Sequence, residues 1–579
     1  MIKEIHEKTT KRQEFEILRA SLNSERSSFI SHYRDLADYI LPRRPQFTVT
    51  DTNRGDRRNQ KIVNSTATLS ARTTRSGMMS GITNPSRPWF RLTTADPDLA
   101  EISAVKVWLH VVSDRMTTVF LRSNLYNILP VIYGDLSVFA TAAMGVEEDL
   151  SGDVMRFNAF PIGSYYIANN DKLEVRTFFR EFRLTVRQIV EKFEWDNISS
   201  HVQNYYNRKQ LDTWVDVCHV ITTNIDYDPK KIDSKQYASV YYETGGQGSS
   251  ANYMGKEDKL LKESGYSYFP VLCPRWETTG EDVYGTECPG MVALGDVKAL
   301  QLMEKRYAQA LEKKINPPMI APSFMKSNKV TILPSDITYV DEREGMKGFR
   351  PAHEVNLNLT ELDAKILSHE ERIRRCFFED LFLMLANTDR REITAREIDE
   401  RHEEKLLALG PVLEQLNQDL LDPLIDITFT IMNNQGLIPE APPELQGQPL
   451  KVEYISLMAQ AQKLVGVGGV EKFAGFVGSL MAATQNPDIL DKVDYDQMID
   501  VYGELSGINP SIVRSDDAVA EIRGQRQKAM AAKAKMEAMA NMATMAKDLA
   551  GAGAQAANIP AGKEMPIPAD MTEQMAGMA

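Results

Sequence analysis

Hydrophobic positions in the second half of the chain recur at steps of three and four residues, the spacing of one helical face. The longest run covers residues 394–436 and has these apolar positions: Leu406, Leu409, Leu413, Leu416, Leu420, Leu424, Ile427 and Ile431. Thr394 and Glu397 form a capping box at its start, because each side chain can accept a hydrogen bond from the other residue's backbone N–H. Gly436 suits the left-handed residue that closes a helix. We predict one rod, about 60 Å long, with kinks permitted at its internal prolines.

Two shorter amphipathic helices are predicted before this rod, with a small insert between them. The first covers Met291–Ile315 and ends at Pro317, because proline lacks a backbone N–H and restricts the residue before it. The second covers Thr360–Leu385 and opens on a capping-box variant that pairs its first residue with Asp363. The insert, residues 319–355, contains short β-like runs with several Pro and Gly residues. Ordinary helices of a mixed domain would show the same pattern, so the pattern alone assigns no function.

Residues 1–288 mix the helical period with strand-like alternation, which predicts an α+β region. The predicted helices cover residues 10–42, 64–81, 105–120, 124–143 and 185–193. The predicted strands are a hairpin within 155–184 and single strands at 215–225, 237–243 and 269–276. Cys218 and His219 are neighbours on one of these strands, where successive side chains face opposite sides. We therefore predict that one of the two is buried and the other exposed.

The chain after the predicted rod changes character twice. Four prolines mark residues 437–450 as a linker, and residues 451–510 are predicted to form a small helical domain. Ala and Met then become frequent in residues 511–579, where we predict an amphipathic helix at 529–549 and disorder from Gly551 onward. The apolar positions of that helix include Met536, Met539 and Met542. It is either a partner-docking helix or a marginal helix with a frayed tail.

Composition places the 579-residue chain among soluble globular proteins, with 43% hydrophobic and 25% charged residues. The four cysteines are too few and too scattered for a disulfide framework or a paired metal site, so a reducing compartment is expected. The charged N-terminus has no signal peptide, and no apolar run is long enough to span a membrane. The net charge of −13 argues against a protein that grips nucleic acid, but not against one that surrounds it.

Sequence motifs for catalysis are missing from the chain. There is no phosphate-binding glycine loop with a following Lys-Ser or Lys-Thr, no dinucleotide-binding glycine pattern and no His-Glu-x-x-His zinc motif. We therefore predict no catalytic residue, no metal ligand and no cofactor. A metal site assembled from distant carboxylates would leave no such motif, so an enzyme of that kind stays open.

Several segments, in this order along the chain, resemble the portal proteins, or head-to-tail connectors, of short-tailed bacteriophages. These segments are Asn84–Thr93, Tyr133–Phe139, Glu147–Glu148, Asn158–Ile167, Gly280–Gly285, Leu294–Leu300 and Ile393–Ile398. Each segment is weak alone, and their common order carries the signal. The resemblance implies an α+β, predominantly helical protomer of portal type, with a mixed α/β wing, a two-helix stem, a strand-bearing clip, a long kinked helix and a helical crown.

The resemblance also implies a division of labour along the chain. By residues, it is wing 1–288, first stem helix 289–316, clip 317–355, second stem helix 356–386, tunnel loop 387–392, long helix 393–436, linker 437–450, crown 451–510 and C-terminal extension 511–579. The tunnel loop would meet DNA through Asn387, Thr388, Asp389, Arg390 and Arg391. The stem residues that would line the channel or pair with the next subunit are Lys305, Arg306, Lys313 and Lys314. The clip residues that would contact the motor and adaptors are Lys326, Lys329, Arg343, Lys347 and Arg350.

The function implied is passive conduction of double-stranded DNA, without sequence specificity, through a ring of about twelve copies at one capsid vertex. A separate terminase motor would drive the DNA, and tail adaptor or nozzle proteins, the major capsid protein and scaffolding protein would be further partners. The protein would lie in the virion, after assembly in the host cytoplasm. Two alternatives stay open: a DNA-processing enzyme with a dispersed carboxylate metal site, and an intracellular scaffold or adaptor that uses the long helix.

Overall fold

The structure of the protein is a computed structural model. The residues that it describes are 10–48, 55, 58–96, 99, 102–149, 152, 154–231, 234–246, 259–316, 319–320, 326, 350–351, 359–387, 409–445, 447–456, 473–477, 479–480, 493–499 and 516–556. Its helices are α1 (Lys11–Tyr39), α2 (Thr66–Ile82), α3 (Ser103–Arg122), α4 (Leu125–Phe139), α5 (Val186–Lys192), α6 (Ser200–Asn207), α7 (Pro289–Ile315), α8 (Leu359–Cys376), α9 (Glu379–Asn387), α10 (Gly410–Leu416), α11 (Asp422–Asn434) and α12 (Asp516–Ala556). Its strands are β1 (Phe90–Thr94), β2 (Met144–Asp149), β3 (Val154–Ala159), β4 (Tyr165–Asn169), β5 (Val175–Thr185), β6 (Trp214–Thr223), β7 (Tyr237–Gly246), β8 (Lys262–Tyr266), β9 (Val271–Leu272), β10 (Met319–Ile320), β11 (Arg350–Pro351) and β12 (Leu450–Tyr454).

Two compact units make up the chain. The first is Met1–Met498 with Leu505–Gly507, and the second is Ile499–Glu504 with Ile508–Ala579. Every strand pair among the described residues is antiparallel. The mixed α and β composition that the sequence predicts is therefore confirmed.

The main core of the first unit lies between α3, α4, two small sheets and the α10–α11 segment. Its largest members include Trp89, Phe120, Phe157, Leu420 and Ile431, each at most 1% exposed. One small sheet pairs β1 with β12, and the other has the order β3-β2-β9. Segments from both ends of the chain thus share one core, and their burial is the dominant source of its stability.

The Pro-rich segment 437–450 packs on this core instead of running free of it. The indole Nε1 of Trp108 donates a hydrogen bond to the Pro439 carbonyl at 3.0 Å, and Arg115 donates to the Leu437 carbonyl at 2.6 Å. Leu445 is 4% exposed. The residues that follow form strand β12, so the start of the predicted helical domain is a strand.

A five-stranded sheet with the order β4-β5-β6-β7-β8 forms the second part of the first unit. The predicted hairpin is confirmed as β4 and β5, which pair from Tyr165↔Arg180 to Asn169↔Val175. The predicted short helix is also confirmed: α5 opens on a capping box in which the Thr185 hydroxyl and the Gln188 side chain each accept from the other's backbone N–H.

Both neighbours in the Cys218–His219 pair are buried, so the prediction that one is exposed is wrong. Helix α1 covers the Cys218 face of the sheet, where Leu22 belongs to the same cluster. On the other face, His219 is 8% exposed, stacks on Tyr241 with ring centroids 3.8 Å apart and shares a hydrogen bond with the Ser239 hydroxyl at 2.9 Å. The alternation is present, but elements pack on both faces of this strand.

Two predicted bounds also change in the wing. Helix α4 ends at Phe139 and not at residue 143, because Ala140 takes a left-handed backbone conformation with φ of 59°. The strand predicted at 269–276 is reduced to the two residues of β9 and an isolated bridge between Thr141 and Arg275.

The two predicted stem helices are present, and the second is broken. Helix α7 has the predicted extent, whereas α8 begins at Leu359, so Thr360 lies inside its first turn and is not the cap. The helix predicted to reach residue 385 stops after Cys376, where Phe378 has φ of 53°, and resumes as α9. Phe382 of α9 lies against Gly77, where an added Cβ would stand 2.2 Å from the Phe382 ring. The break therefore seats α9 on α2.

The long helix is described only from Leu409 onward, so the Thr394–Glu397 capping box lies outside the described residues. Its described part is α10, a π-helical turn at Asn417–Leu421, and α11. Pro423 follows the π turn, which widens the helix where proline would clash with the carbonyl four residues earlier. Pro411 lies in the first turn of α10. Gly436 has φ of 68°, which confirms its predicted role at the helix end.

The second unit consists, in its described part, mainly of helix α12. This helix is longer than predicted and includes residues 551–556, which were predicted to be disordered. Met536, Met539 and Met542 are 74%, 71% and 73% exposed. The residues from 557 onward lie outside the described part.

Candidate channel and docking residues

The predicted tunnel loop falls at the edge of the described chain. Asn387 is the last residue of α9, so the helix continues one residue into the predicted loop. Thr388, Asp389, Arg390 and Arg391 lie outside the described residues. Their contact with DNA therefore stays a prediction, while the structure fixes the helix that carries the segment.

The second half of α7 carries the four predicted stem cations, Lys305, Arg306, Lys313 and Lys314. All four side chains are exposed, and none forms an ion pair within the part of the chain that the structure describes. At about 100° per residue, Arg306 and Lys313 lie on the side of α7 opposite the buried Val297. Lys305 and Lys314 lie on opposite flanks. The structure thus aligns two of the four and separates the others.

The predicted clip residues are only partly described. Lys326 is exposed. Arg350 begins β11, which pairs with β10 in the register Ile320↔Arg350. Lys329, Arg343 and Lys347 lie outside the described residues. A strand pair at the base of the insert agrees with the predicted strand-bearing character of this segment.

A buried glutamine fastens α7 to the segment before α2. Gln301 is 5% exposed, and its Oε1 accepts hydrogen bonds from the backbone N–H groups of Val63 at 2.6 Å and Asn64 at 2.8 Å. The Asn64 side chain donates to Glu304 at 2.9 Å and to Glu370 at 2.8 Å. One asparagine therefore joins α7 and α8, which we call the two legs. Sequence reasoning missed this group, although a polar residue beside Leu300 on an apolar face was an available signal.

The two legs also contact each other directly, closer to the N-terminal end of α7. Asp296 of α7 lies 3.0 Å from the His369 imidazole and 3.1 Å from the Arg372 guanidinium of α8. On the other flank of α7, Lys298 pairs with Asp35 of α1 at 2.7 Å. These contacts position the first half of α7 and the second half of α8 against the body, by which we mean the wing together with α10 and α11.

A buried ion pair holds the π turn of the long helix. Arg275 is 4% exposed, and its guanidinium donates to Asp419 at 3.0 and 3.2 Å and to the Leu173 carbonyl at 3.0 Å. Gln415 donates to the same carboxylate at 2.9 Å. The π turn places Asp419 toward this arginine. Removal of one partner of such a pair leaves a buried charge without compensation.

A second buried pair lies inside the wing. Arg44 donates to both oxygens of Asp135 at distances from 2.6 to 2.9 Å and to the Phe160 carbonyl at 3.1 Å. Burial raises the pKa of the Asp135 carboxyl, and the Arg44 guanidinium opposes that shift. The geometry is that of a structural clamp between α4 and the loop after α1.

A cross-strand row of cations and rings crosses the five-stranded sheet. Arg180, His219, Tyr241 and Lys262 stand directly opposite one another on β5 to β8. Burial lowers the pKa of His219 well below its usual value, and the positive charges of Arg180, Lys192 and Lys262 act in the same direction. The neutral imidazole is therefore the form that this site favours.

The described residues include no cluster of three or more His, Cys, Asp or Glu side chains able to hold a metal ion. None of the described helices is both long enough and apolar enough to cross a bilayer. All four cysteines are free thiols. The residues that the structure does bring together are those that brace the legs and the long helix against the body.

Comparison with known proteins places this architecture in a family. Residues 12–513 match the family described as bacteriophage head to tail connecting protein. The chain is 49% identical to a protein of Salmonella phage epsilon15 named "Portal protein", over 88% of this chain and 90% of the relative. It is 43% identical to a protein of Bordetella phage BPP-1 named "Probable portal protein", over 87% of this chain and 89% of the relative. The chain therefore belongs to the family of bacteriophage head-to-tail connecting, or portal, proteins.

Proposed function

We propose that copies of this chain close into a ring of about twelve protomers that conducts double-stranded DNA at one vertex of the capsid. The observation that carries this proposal is the contrast within α7. Its first half is anchored in the body, while its second half exposes Leu311 and Ile315, one turn apart on the same face, to 39% and 75%. Exposed apolar residues at helical spacing on a braced helix favour burial against another macromolecule. In a connector, the nearest such surface belongs to a second copy.

The legs α7 and α8 form the stem of this ring. Rotation about one axis repeats the same contact around the ring, so that each protomer presents one face to the neighbour on its left and a different face to the one on its right. The other parts follow the order of the chain: wing 1–288, clip 317–355, second stem segment 356–386, long helix 393–436, linker 437–450, crown 451–510 and extension 511–579. The bracing of the legs at their upper ends supports a rigid tube wall.

The channel surface includes Arg306 and Lys313, which lie two turns apart on the face of α7 that points away from the body. Residues 387–392 form a tunnel loop that begins at the last residue of α9. The net charge of −13 supports conduction over capture, since a wall that neutralised many phosphates would hold the DNA. The protein is a passive valve and not an enzyme, and a separate ATPase supplies the work.

Partners of the ring follow from this arrangement. The clip, with Lys326, Lys329, Arg343, Lys347 and Arg350, docks the terminase motor and later the tail adaptor or nozzle proteins. The wing contacts the major capsid and scaffolding proteins. The assembled ring resides in the virion after assembly in the host cytoplasm. Basic side chains in the clip support contact with acidic surfaces of those partners.

Deletion of residues 387–392 tests the channel assignment. We expect the variant to form rings of normal mass in native mass spectrometry, because the loop lies outside the braced legs, but to package or retain less DNA in a complementation assay. The matched control replaces the polar turn 228–231 of the wing with Gly and Ser residues, and should package normally. Loss of ring formation on loop deletion would contradict the tunnel-loop assignment.

A further inference from the structure

One side of α7, further along the chain than its contact with α1, carries a line of residues that are exposed in the described part of the protomer. Leu302 is 48% exposed, and Lys305 and Gln309 are also exposed. The steps of three and four residues place them above one another on a single face. This face is turned away from α8, because Asp296, on the other side of α7, contacts α8.

Helix α8 carries a corresponding line on the side turned away from α7. Leu367 is 59% exposed, and Asp363 and Thr360 are exposed as well. The steps are four and three residues, in the opposite direction along the chain. The opposite flank of α8 holds His369 and Arg372, which contact Asp296. Both lines are therefore exposed surfaces among the residues that the structure describes.

The heights of the two lines match because the legs run antiparallel. Contacts of Asp296 with residues near the end of α8 fix one level. Lower down, Met303 and Tyr307 share a hydrophobic cluster with Leu362 and Ile366. Moving toward the C-terminal end of α7 therefore means moving toward the N-terminal end of α8. At equal heights, Leu302 stands level with Leu367, Lys305 with Asp363, and Gln309 with Thr360.

Rotation about a single axis carries each protomer onto the next, so the two lines meet between neighbours with their residues in the same order of levels. We propose that the lower α7 face of one protomer docks on the outer α8 face of the next copy of this chain. Leu302 packs on Leu367, Lys305 pairs with Asp363, and Gln309 meets Thr360. The inference rests on the ring proposed above and names the surface that closes it.

The pairing matches chemistry at every level. An exposed leucine meets an exposed leucine, and a lysine without an ion pair in the described protomer meets an aspartate that also has none. The assignment separates the leg cations by role: Lys305 belongs to the subunit contact, whereas Arg306 and Lys313 stay on the channel face. The test must distinguish this contact between two copies from the docking of a different protein on the same line of residues.

Disulfide trapping tests the contact on the full chain. The background is Cys376→Ser, because Cys376 is the half-buried thiol; burial raises the pKa of the Cys218 and Cys288 thiols to about 12 and disfavours their reaction. Leu302→Cys and Leu367→Cys are combined in one chain and oxidised. We expect a ladder of covalent multimers on a denaturing gel, and no dimer from either single variant.

Co-assembly of the two single variants should stop at the covalent dimer, since each contact is heterologous. The matched control combines Leu302→Cys with Leu383→Cys, an exposed leucine on α9 at 47%, and should give no ladder. Rings that form without the Leu302–Leu367 crosslink would overturn the inference and leave the ring itself intact. No ring in any variant would instead overturn the proposed function.

Charge reversal gives a second, independent readout. Lys305→Glu or Asp363→Lys alone should raise the protein concentration needed for half-assembly by about tenfold, and the double variant should restore it. High salt should reduce both effects, because exposed charges are screened. Single variants that assemble like the wild type, or a double variant without rescue, would contradict the Lys305–Asp363 pair.

Discussion

The two halves of α7 follow one amphipathic pattern but differ in how deeply their apolar residues are buried. Val297 and Leu300 are fully buried in the body, whereas Leu311 and Ile315, further along the same helix, are 39% and 75% exposed. The apolar period is the same in both halves, although residues 302–315 carry six charged residues and residues 289–301 only two. What distinguishes them is the presence of α1 and of the segment before α2 beside the first half, whereas α8 accompanies both halves. The comparison shows that periodicity predicts which side of a helix is apolar. It does not predict whether that side is covered by the same chain or by another molecule.

A cavity in the core of the body should have the largest effect and tests the contrast between the buried and the exposed regions. Phe157 is fully buried, so Phe157→Ala should lower the free energy of unfolding by about 3–5 kcal/mol. Leu302→Ala, on the exposed half of α7, should change it by less than about 0.5 kcal/mol. Urea denaturation of dilute protomer measures both. Equal losses would show that the lower leg is part of the protomer's own core.

The long helix offers a second test of the body. Arg275→Ala leaves the Asp419 carboxylate buried without its partner and should cost about 3 kcal/mol. Arg275→Met combined with Asp419→Leu should recover most of that loss, because it removes both charges. The same denaturation experiment measures the two variants. A double variant as unstable as the single one would mean that the π turn depends on more than this pair.

The packing of α9 on α2 predicts a smaller loss of stability, and a second glycine serves as the control. An added methyl at Gly77 would stand 2.2 Å from the Phe382 ring, so Gly77→Ala should destabilise the protomer by about 1–3 kcal/mol. Gly295 on α7 has no atom within 4 Å of the same position. Gly295→Ala should therefore stabilise the helix by about 0.5–1 kcal/mol. Stabilisation by both substitutions would contradict the close packing of α9 on α2.

The buried imidazole of the wing predicts a pH effect. Because burial holds the pKa of His219 well below its unfolded value of about 6.5, the unfolded chain binds the proton that the folded chain does not. Its contribution is fully present above about pH 6.5 and is lost as pH falls below it, approaching about 1.4 kcal/mol per pH unit. His219→Gln should reduce the fall of the urea denaturation midpoint that the wild type shows between pH 7 and pH 5. An unchanged slope would contradict the assignment.

Truncation of the second unit should have the smallest effect on the first. Helix α12 exposes Met536, Met539 and Met542 to more than 70% and belongs to a separate compact unit. A chain that ends at residue 510 should keep the thermal unfolding midpoint of the first unit within a degree or so. A large drop would show that the first unit needs the extension.

Local signals in the sequence predicted most elements. The capping box at Thr185, the hairpin turn near Asn170 and the closing Gly436 all depend on residues within a few positions of one another, and all three are confirmed. The resemblance to phage connectors, drawn from short segments in a fixed order, is confirmed by the family match. The channel and clip residues stay predictions.

Features that depend on distant partners were not predictable. The break in the second leg depends on the meeting of Phe382 with Gly77, and the strand at Leu450–Tyr454 pairs with residues near the start of the chain. Arg275 and Asp419 are likewise far apart in sequence. His219 was assigned correctly to a strand, but whether each face of that strand is covered depends on elements packed above and below the sheet.

Cryo-electron microscopy of the purified particle, viewed along its axis, tests the central claim most directly. The account predicts an annular particle with an axial passage wide enough for a DNA duplex, in which α7 of each protomer contacts α8 of the next. A sample that contains only monomers, or elongated dimers with no opening, would contradict it.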